Sequence, residues 1–314
     1  MEISKPFLAC DVDLTKLKYP TLVLPKLDGV RGMNLKGGLV GRSLKPHGNL
    51  HTTKFFSVDP CIGFDGELCV NNDITSSSLC RDTTSALNTH EGQPDIHWQL
   101  FDYITPENAE LPYIDRLVEL AYKWEDLQKY NEGKKLHLVP HYIVDNEEQL
   151  LNLYNQWINE GYEGLIVRDP YAPHKNGRST ANQQGYLRLK PTGDTEANVV
   201  SIIEGETNNN PATINELGHT ERSTHKANMV PNGMVGALMV KGIRIMNGKP
   251  EPVECEFKIS AGCMSHKDRL HYFQNPDQLI GQTVKYKFFD HGAKDELRMA
   301  RFHSIRAKSD IGEE

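Results

Sequence analysis

The chain has 314 residues, 38% of them hydrophobic and 25% charged, with a formal net charge of −7. This core-forming composition excludes a disordered chain and a protein coated in basic surface. No run approaches the roughly 18 apolar residues of a membrane helix, and the opening MEISKPFLACDVDL carries acids in place of a long apolar stretch, so no secretory signal is expected and a cytoplasmic protein is.

Six cysteines (Cys10, Cys61, Cys69, Cys80, Cys255, Cys263) follow no CxxC or Cys/His spacing. They read as reduced thiols, not as a zinc site or a disulfide framework. The length suits two domains.

The first element lies in YPTLVLPKLDGVRG. Leu22, Val23 and Leu24 read as a buried strand, Pro25 is expected to stop its ladder, and Asp28-Gly29 to supply a tight turn. Lys26 then stands at the rim of a sheet. A lysine at a strand exit is usually just solvated, but here desolvation and a nearby cation such as Arg31 would lower its pKa and free the neutral amine, which is the nucleophile. Further strands are predicted at 38–42, 62–70, 97–104, 137–143, 164–168 and 185–190, and helices at 114–130 and 146–160, where apolar residues recur three and four apart. Asn146 with Gln149 caps the second helix and Gly161 stops it. The pattern is α+β.

After Pro191 the character changes. Strand runs at 197–203, 234–241, 253–259 and 282–289 are separated by Gly, Asn and Pro clusters, with one short helix near 265–273. Such a region fits a small barrel of the OB-fold kind, a frequent nucleic-acid binder. The expected boundaries are 1–192 and 193–314, with TNNNPATINELGHTERSTHK (207–226) as a long polar loop.

Charge is uneven. From Arg168 to Lys190 five cations (Arg168, Lys175, Arg178, Arg188, Lys190) face one acid, and from Lys285 to Lys308 seven face three, each stretch netting +4. Charge alone fits a face that grips polyanions or a merely solvated one.

Several short motifs fall at predicted strand ends. FDGEL places Glu67 after a turn, and HWQLFDYI ends on Phe101, an aromatic that is core by default. EGLIVRDP sets Glu163 at the mouth of an apolar strand and Arg168 at its far end. GYLRLKP alternates, so Arg188 and Lys190 share one face and Leu187 and Leu189 the other.

Singly these are weak signals, but their order is specific. K-x-D-G-x-R, D-G-E-L, F-D-Y, E-G-L-I-V-R and L-x-L-K-P, followed by a small β domain, resemble the covalent nucleotidyltransferases, and among them the compact ATP-dependent DNA ligases of the bacteriophage type. The likeness covers nearly the whole chain, including KPFLAC, GRSLKPHGN and GMVGALMV. It implies an α+β nucleotidyltransferase (adenylation) domain with antiparallel sheets, plus a C-terminal OB-fold β-barrel.

It also implies roles. Lys26 would attack the α-phosphate of ATP and carry AMP, Asp28 would orient it, and Arg31 would reach the ribose or the nicked strand's phosphate. Arg42 would bind a 5′-phosphate of nucleotide or DNA. Glu67 would contact the ribose and help a metal, Phe101 would stack on adenine, and Glu163 would hold a divalent ion, Mg2+ or Mn2+. Lys190, with Arg188, would neutralise the α-phosphate and depress Lys26.

Arg188 stands where many relatives have lysine, and an arginine fork is not equivalent. No pyrophosphate-orienting C-terminal motif is clear, so Arg298 and Arg301 are candidates for DNA contact. ATP is expected over NAD, because there is no four-cysteine zinc pattern and no extra N-terminal domain. The implied partner is nicked duplex DNA, bound by a monomer away from membranes. The rivals are an mRNA-capping guanylyltransferase, an RNA ligase, and a nucleic-acid-binding protein with a degenerate transferase domain.

Overall fold

The computed structural model describes residues 2–130, 132–244, 253–289, 291–292 and 296–306. Two units divide the chain, Met1–Lys190 and Pro191–Glu314. Among the described residues no helix is long and apolar enough to cross a membrane.

The first unit is built on two five-stranded sheets. One runs in the order Cys10–Asp11, Tyr186–Leu189, Gly164–Arg168, Thr21–Lys26, Tyr142–Val144; the other runs Leu39–Val40, Val30–Asn34, Phe64–Val70, Ile96–Tyr103, Leu136–Leu138. Pairing is antiparallel except where Cys10–Asp11 and Leu136–Leu138 join.

Central strands of the first sheet are apolar on both faces because both are buried. Val23, Leu165, Val167 and Leu187 pack with Leu150 and Trp157 of helix α4 (Glu147–Glu160). Leu24, Ile166 and Tyr186 fall in a separate core with Cys69 and Phe101 of the other sheet. The second sheet's remaining face, with Leu68, Trp98 and Leu100, packs on helices α1 (Leu50–Phe56), α2 (Leu79–Asn88) and α3 (Tyr113–Leu127) through Phe56, Leu87, Leu120 and Leu127. A strand buried on both sides reads as a continuous hydrophobic run, which is why LVL and GLIV stood out in the sequence.

Helix α4 begins and ends as its signals require: the Asn146 side chain accepts from the Gln149 N–H, and Gly161 closes the helix in the left-handed region. Pro25 behaves otherwise than expected. The strand continues through it to Lys26, paired with Leu165 and Gly164. On its other side the Tyr142–Val144 strand covers only Thr21–Val23, so the ladder there has ended before the proline and its missing N–H breaks nothing. Helix α2 escaped the periodicity because its buried stripe is only Leu79, Thr83 and Leu87.

A buried ionic cluster joins the layers. The Asp102 carboxylate accepts from Arg116 Nε and Nη2 and from Arg168 Nη2, each at 3.0 Å. Arg168 is also stacked 3.6 Å from the Tyr113 ring centre. This overturns the place of Arg168 in a basic surface stripe: it is a core residue, 1% exposed. Burial alone would raise the Asp102 carboxyl, but Arg116 and Arg168 outweigh it and hold the pKa at about 2.

The second unit is a closed barrel of Gly193–Asn208, Met229–Arg244, Val253–Ser260, Thr283–Phe289 and Arg298–Ile305. In chain order its strands neighbour one another as first, second, third, fifth, fourth, and the third meets the fifth in parallel at Ser260 and Arg301. Helix α5 (His266–Gln274) connects the third to the fourth. Inward-facing Val199, Leu238, Val240, Ile259, Val284 and Tyr286 fill the interior.

The stretch 207–226 is more ordered than the polar loop expected of it. The first two strands stay paired out to Asn208 and Met229, and a hairpin of Ala212–Ile214 with Thr220–Arg222 follows. Polar bonds replace apolar alternation there, with the Asn210 amide donating to the carbonyls of Ser223 and His225 at 2.9 and 2.8 Å.

Replacing the Asp102 carboxylate should strand two buried guanidinium groups. We expect Asp102→Asn to destabilise the first unit by about 3–5 kcal/mol. All three tryptophans of the chain, Trp98, Trp124 and Trp157, lie in this unit, so the urea midpoint of their fluorescence measures it directly. The Asp102 pKa is depressed from 3.8, so its contribution is present above that value and lost as pH falls through about 2. A wild-type-like midpoint for the variant would refute the cluster's structural role.

Candidate active site

Lys26 ends its strand opposite Gly164, and the Glu163 N–H donates to the Lys26 carbonyl at 3.0 Å. That register brings the side chains together. Lys26 Nζ donates to Glu163 Oε2, while Lys190 Nζ reaches Glu163 Oε1 at 3.4 Å. One carboxylate thus bridges two ammonium groups. Gly164 makes the approach possible, because a Cβ there would lie 2.2 Å from the Leu189 carbonyl oxygen.

Glu67 comes from the other sheet, in register with Arg31 on one side and Gln99 on the other. The Asp28-Gly29 turn passes close against this strand. A Cβ on Gly29 would sit 2.4 Å from the Leu68 carbonyl and 2.8 Å from Glu67 Cγ, so the glycine is demanded by proximity. Asp28, 6% exposed, adds a third carboxylate near the lysine.

The electrostatics reverse one sequence expectation. Burial pushes the Lys26 ammonium down, but Glu163, Glu67 and Asp28 push it up, and the balance leaves its pKa above the usual lysine value of 10.5. Carboxylates, not cations, dominate its surroundings. Lys190 goes the other way: burial lowers it, and Lys26 and Arg188 add to that against the pull of Glu163. Glu67 is raised to about 7, chiefly by burial, with Lys26 and Arg31 opposing and Glu163 and Asp28 adding to the rise.

Arg31 is committed elsewhere than to Lys26. Its Nε and Nη2 form a two-pronged bond to Asp65, both arms at 2.5 Å, and its guanidinium lies 4.6 Å from the centre of the Phe101 ring. The turn expected at Asp65-Gly66 before Glu67 is absent, because both residues lie within the strand Phe64–Val70, and the importance of Asp65 follows from a partner 34 residues away. Phe101 is 7% exposed and packs with Leu24 and Ile166, so it is a core residue whose ring also carries the arginine.

Arg188 lies on the face opposite Leu187, as the alternation required, but its Nε donates to Asp11 at 2.6 Å. It acts on Lys190 only through space. Arg42 is exposed, in a turn closed by the Gly41 N–H to the Lys45 carbonyl at 2.9 Å. Arg298 and Arg301 stand on the fifth barrel strand of the other unit, where Arg298 donates to the His291 carbonyl at 3.4 Å and Arg301 lies 5.9 Å from the Phe289 ring centre.

Neither basic stripe persists as a row of free cations. Lys285 is bridged to Asp194 and Arg306 to Glu196. Lys294, Lys308, Asp290 and Asp295 lie outside the described residues.

Oxygen donors without thiol or imidazole suit a hard divalent cation such as Mg2+ or Mn2+. Among the described residues no three His, Cys, Asp or Glu side chains form a metal cage. A donor set of Glu67 and Glu163 fits an ion that takes one or two carboxylates and completes its shell from phosphate and water.

The Lys26–Glu163 pair is testable apart from any reaction. Glu163→Gln should lower the Lys26 pKa, followed by NMR titration of isotopically labelled lysine. An unmoved Lys26 resonance would mean that Glu163 does not set its charge.

No protein-family model matches the chain. In sequence it is similar to a DNA ligase of African swine fever virus (isolate Tick/Malawi/Lil 20-1/1983), 26% identical over 199 residues, which are 59% of this chain and 45% of that relative. The chain therefore spans about half the length of the curated relatives it matches.

In structure it is similar to the Chlorella virus DNA ligase-adenylate, with a TM-score of 0.52 and 23% identity over 97% of this chain and 100% of the other. A Lig E DNA ligase gives 0.66 and 20% over the same shares. These likenesses establish the fold: a mixed α/β architecture shared with viral and minimal DNA ligases.

Proposed function

We propose that this chain is an ATP-dependent DNA ligase that seals a 5′-phosphate to an adjacent 3′-hydroxyl in nicked duplex DNA through a lysyl-AMP intermediate. The observation that carries the reading is the convergence of Lys26, Glu163, Lys190 and Glu67 from two sheets on one charged cluster, with Arg31 seated on Phe101 beside it.

In the first step Lys26 Nζ attacks the α-phosphorus of ATP, the bond to pyrophosphate breaks, and the amine gives up a proton to form a phosphoramidate. In the second, the 5′-phosphate of DNA takes the adenylyl group and Lys26 leaves. In the third, the 3′-hydroxyl attacks and AMP departs. Lysine suits this relay because its P–N bond persists until the nitrogen is protonated.

The free protein keeps Lys26 charged, so the first step needs its carboxylate neighbours to be engaged elsewhere. Glu67 and Glu163 would hold Mg2+, which would supply positive charge beside the phosphates. Lys190, which shares Glu163 with Lys26, offsets charge building on the α-phosphate oxygens. Asp65 holds Arg31 rigid, so its guanidinium, carried on the Phe101 ring, would form a prepared floor for the nucleoside. Asp28 orients Lys26. Arg188 and Arg42 contribute to phosphate binding.

The barrel, whose strand order fits an OB-fold, would grip the duplex through phosphates, with Arg298 and Arg301 among its contacts, so binding would be independent of sequence and weaken with salt. The protein would act as a soluble monomer.

Intact-mass measurement after mixing with Mg2+ and either ATP or GTP tests the class. We expect an AMP adduct on the Lys26 peptide and none in Lys26→Ala; a GMP adduct would indicate a capping enzyme, and no adduct would end the ligase reading. Comparing nicked DNA with nicked RNA duplexes distinguishes an RNA ligase.

Lys190→Ala should slow adduct formation by about 100-fold, the usual loss when one transition-state charge partner is removed. An unchanged rate would refute its phosphate role. With Glu67 titrating near 7, its carboxylate is present above that pH and lost below it. Adduct formation should therefore fall as pH drops through 7, and a flat profile across that range would exclude a need for ionised Glu67.

A further inference from the structure

Helix α3 carries apolar residues on both of its sides. Tyr113, Arg116, Leu120 and Leu127 face the core. On the opposite crest Ile114, Val118 and Tyr122, at helical spacing of four, are 38%, 52% and 71% exposed, and Leu111 just before the helix is 37% exposed. Solvent-facing helix positions ordinarily hold polar residues, and an ordered apolar stripe there marks an interaction surface. Leu111 and Tyr122 also line a cavity of about 280 Å³ between the helix and residues 103–108, walled by Tyr103, Asn108 and Glu119.

The charge around the stripe selects the occupant. Between residues 105 and 127 stand six acids, Glu107, Glu110, Asp115, Glu119, Glu125 and Asp126. Against them are Lys123, Arg116, which is buried on Asp102, and, just beyond, Lys129, which is bridged to Asp126 and leaves five acids to set the rim. This acidic rim repels a polyanion, so the surface does not suit nucleic acid. It complements a basic segment with one apolar face, which would lay that face along Ile114, Val118 and Tyr122, seat a side chain in the cavity, and set its lysines or arginines against the rim.

We propose that α3 is a docking surface for a basic amphipathic helix of a partner protein. The surface lies on the outer layer of the first unit, backed by the core that Leu120 and Leu127 share with Trp98 and Leu100. Lys26 lies on the first sheet, whereas α3 packs on the second. The inference does not rest on the ligase reading.

The probe is a fluorescein-labelled synthetic Leu/Lys amphipathic helix of about 18 residues, five turns long, titrated against the full chain by fluorescence anisotropy. A scrambled peptide of identical composition is the control. We expect the amphipathic peptide to bind at least about tenfold more tightly than the scrambled one, and Val118→Asp or Tyr122→Asp to weaken it by about tenfold, the loss of one anchor contact.

Asp115→Asn with Glu119→Gln should weaken binding and flatten its salt dependence. Both apolar positions are exposed, and an unshifted tryptophan-fluorescence unfolding midpoint confirms that each variant is folded. Equal binding of the scrambled peptide, or no effect of Val118→Asp in a folded variant, overturns the proposal. Self-association in sedimentation that Val118→Asp abolishes also overturns it, by assigning the stripe to a second copy of the chain.

Discussion

The structure of the first unit turns on one carboxylate, Glu163, held at the meeting point of two central strands and shared between Lys26 and Lys190. Removing an ammonium from water disfavours its charge, whereas an opposite charge within bonding distance favours it. For Lys26 the second effect wins, because Glu67 and Asp28 reinforce Glu163. For Lys190, which shares the same carboxylate at longer range and feels two other cations, the first wins. The charged cluster is therefore polarised: a firmly charged lysine on one side of Glu163 and a more easily deprotonated one on the other. Any ligand that draws Glu163 away changes the state of both at once.

The site keeps its geometry because the two sheets that carry it are tied together elsewhere. Asp102 of the second sheet binds Arg168 at the end of a first-sheet strand and Arg116 of α3, joining three layers through one buried carboxylate. Such clusters contribute little net stability compared with an apolar replacement, but losing one partner is costly, so they fix a geometry. Asp65 performs the corresponding task nearer the site, where both of its oxygens are used to fix Arg31 above Phe101.

The second unit has a core of its own, from Ala197 to Phe302, and closes its sheet so that edges are removed. Its paired first and second strands run on past the barrel core to a polar hairpin that is held by side-chain amides. The second unit therefore combines a conventional apolar interior with a polar extension whose order comes from hydrogen bonds, and a polar extension of this sort is poorly announced by hydrophobic pattern.

Local chemistry was legible in the sequence wherever one stretch of chain decides its own structure. The double-sided burial of LVL and GLIV, the cap of Asn146 and the stop at Gly161 need only neighbours a few residues away. The order of the K-x-D-G, D-G-E-L and E-G-L motifs likewise marked Lys26, Glu67 and Glu163. What only the tertiary structure decided was which charges meet. Asp65 finds Arg31 across 34 residues, Arg168 finds Asp102 across 66, and Arg188 finds Asp11 across 177. The Arg168 pairing turned a supposed surface cation into a core residue, and the meeting of Lys26 with Glu163, Glu67 and Asp28 reversed the direction in which the lysine is shifted. The reason is physical: hydrophobic periodicity and capping act along the chain, whereas Coulomb interactions and desolvation depend on distances through space, which exist only once the sheets have closed.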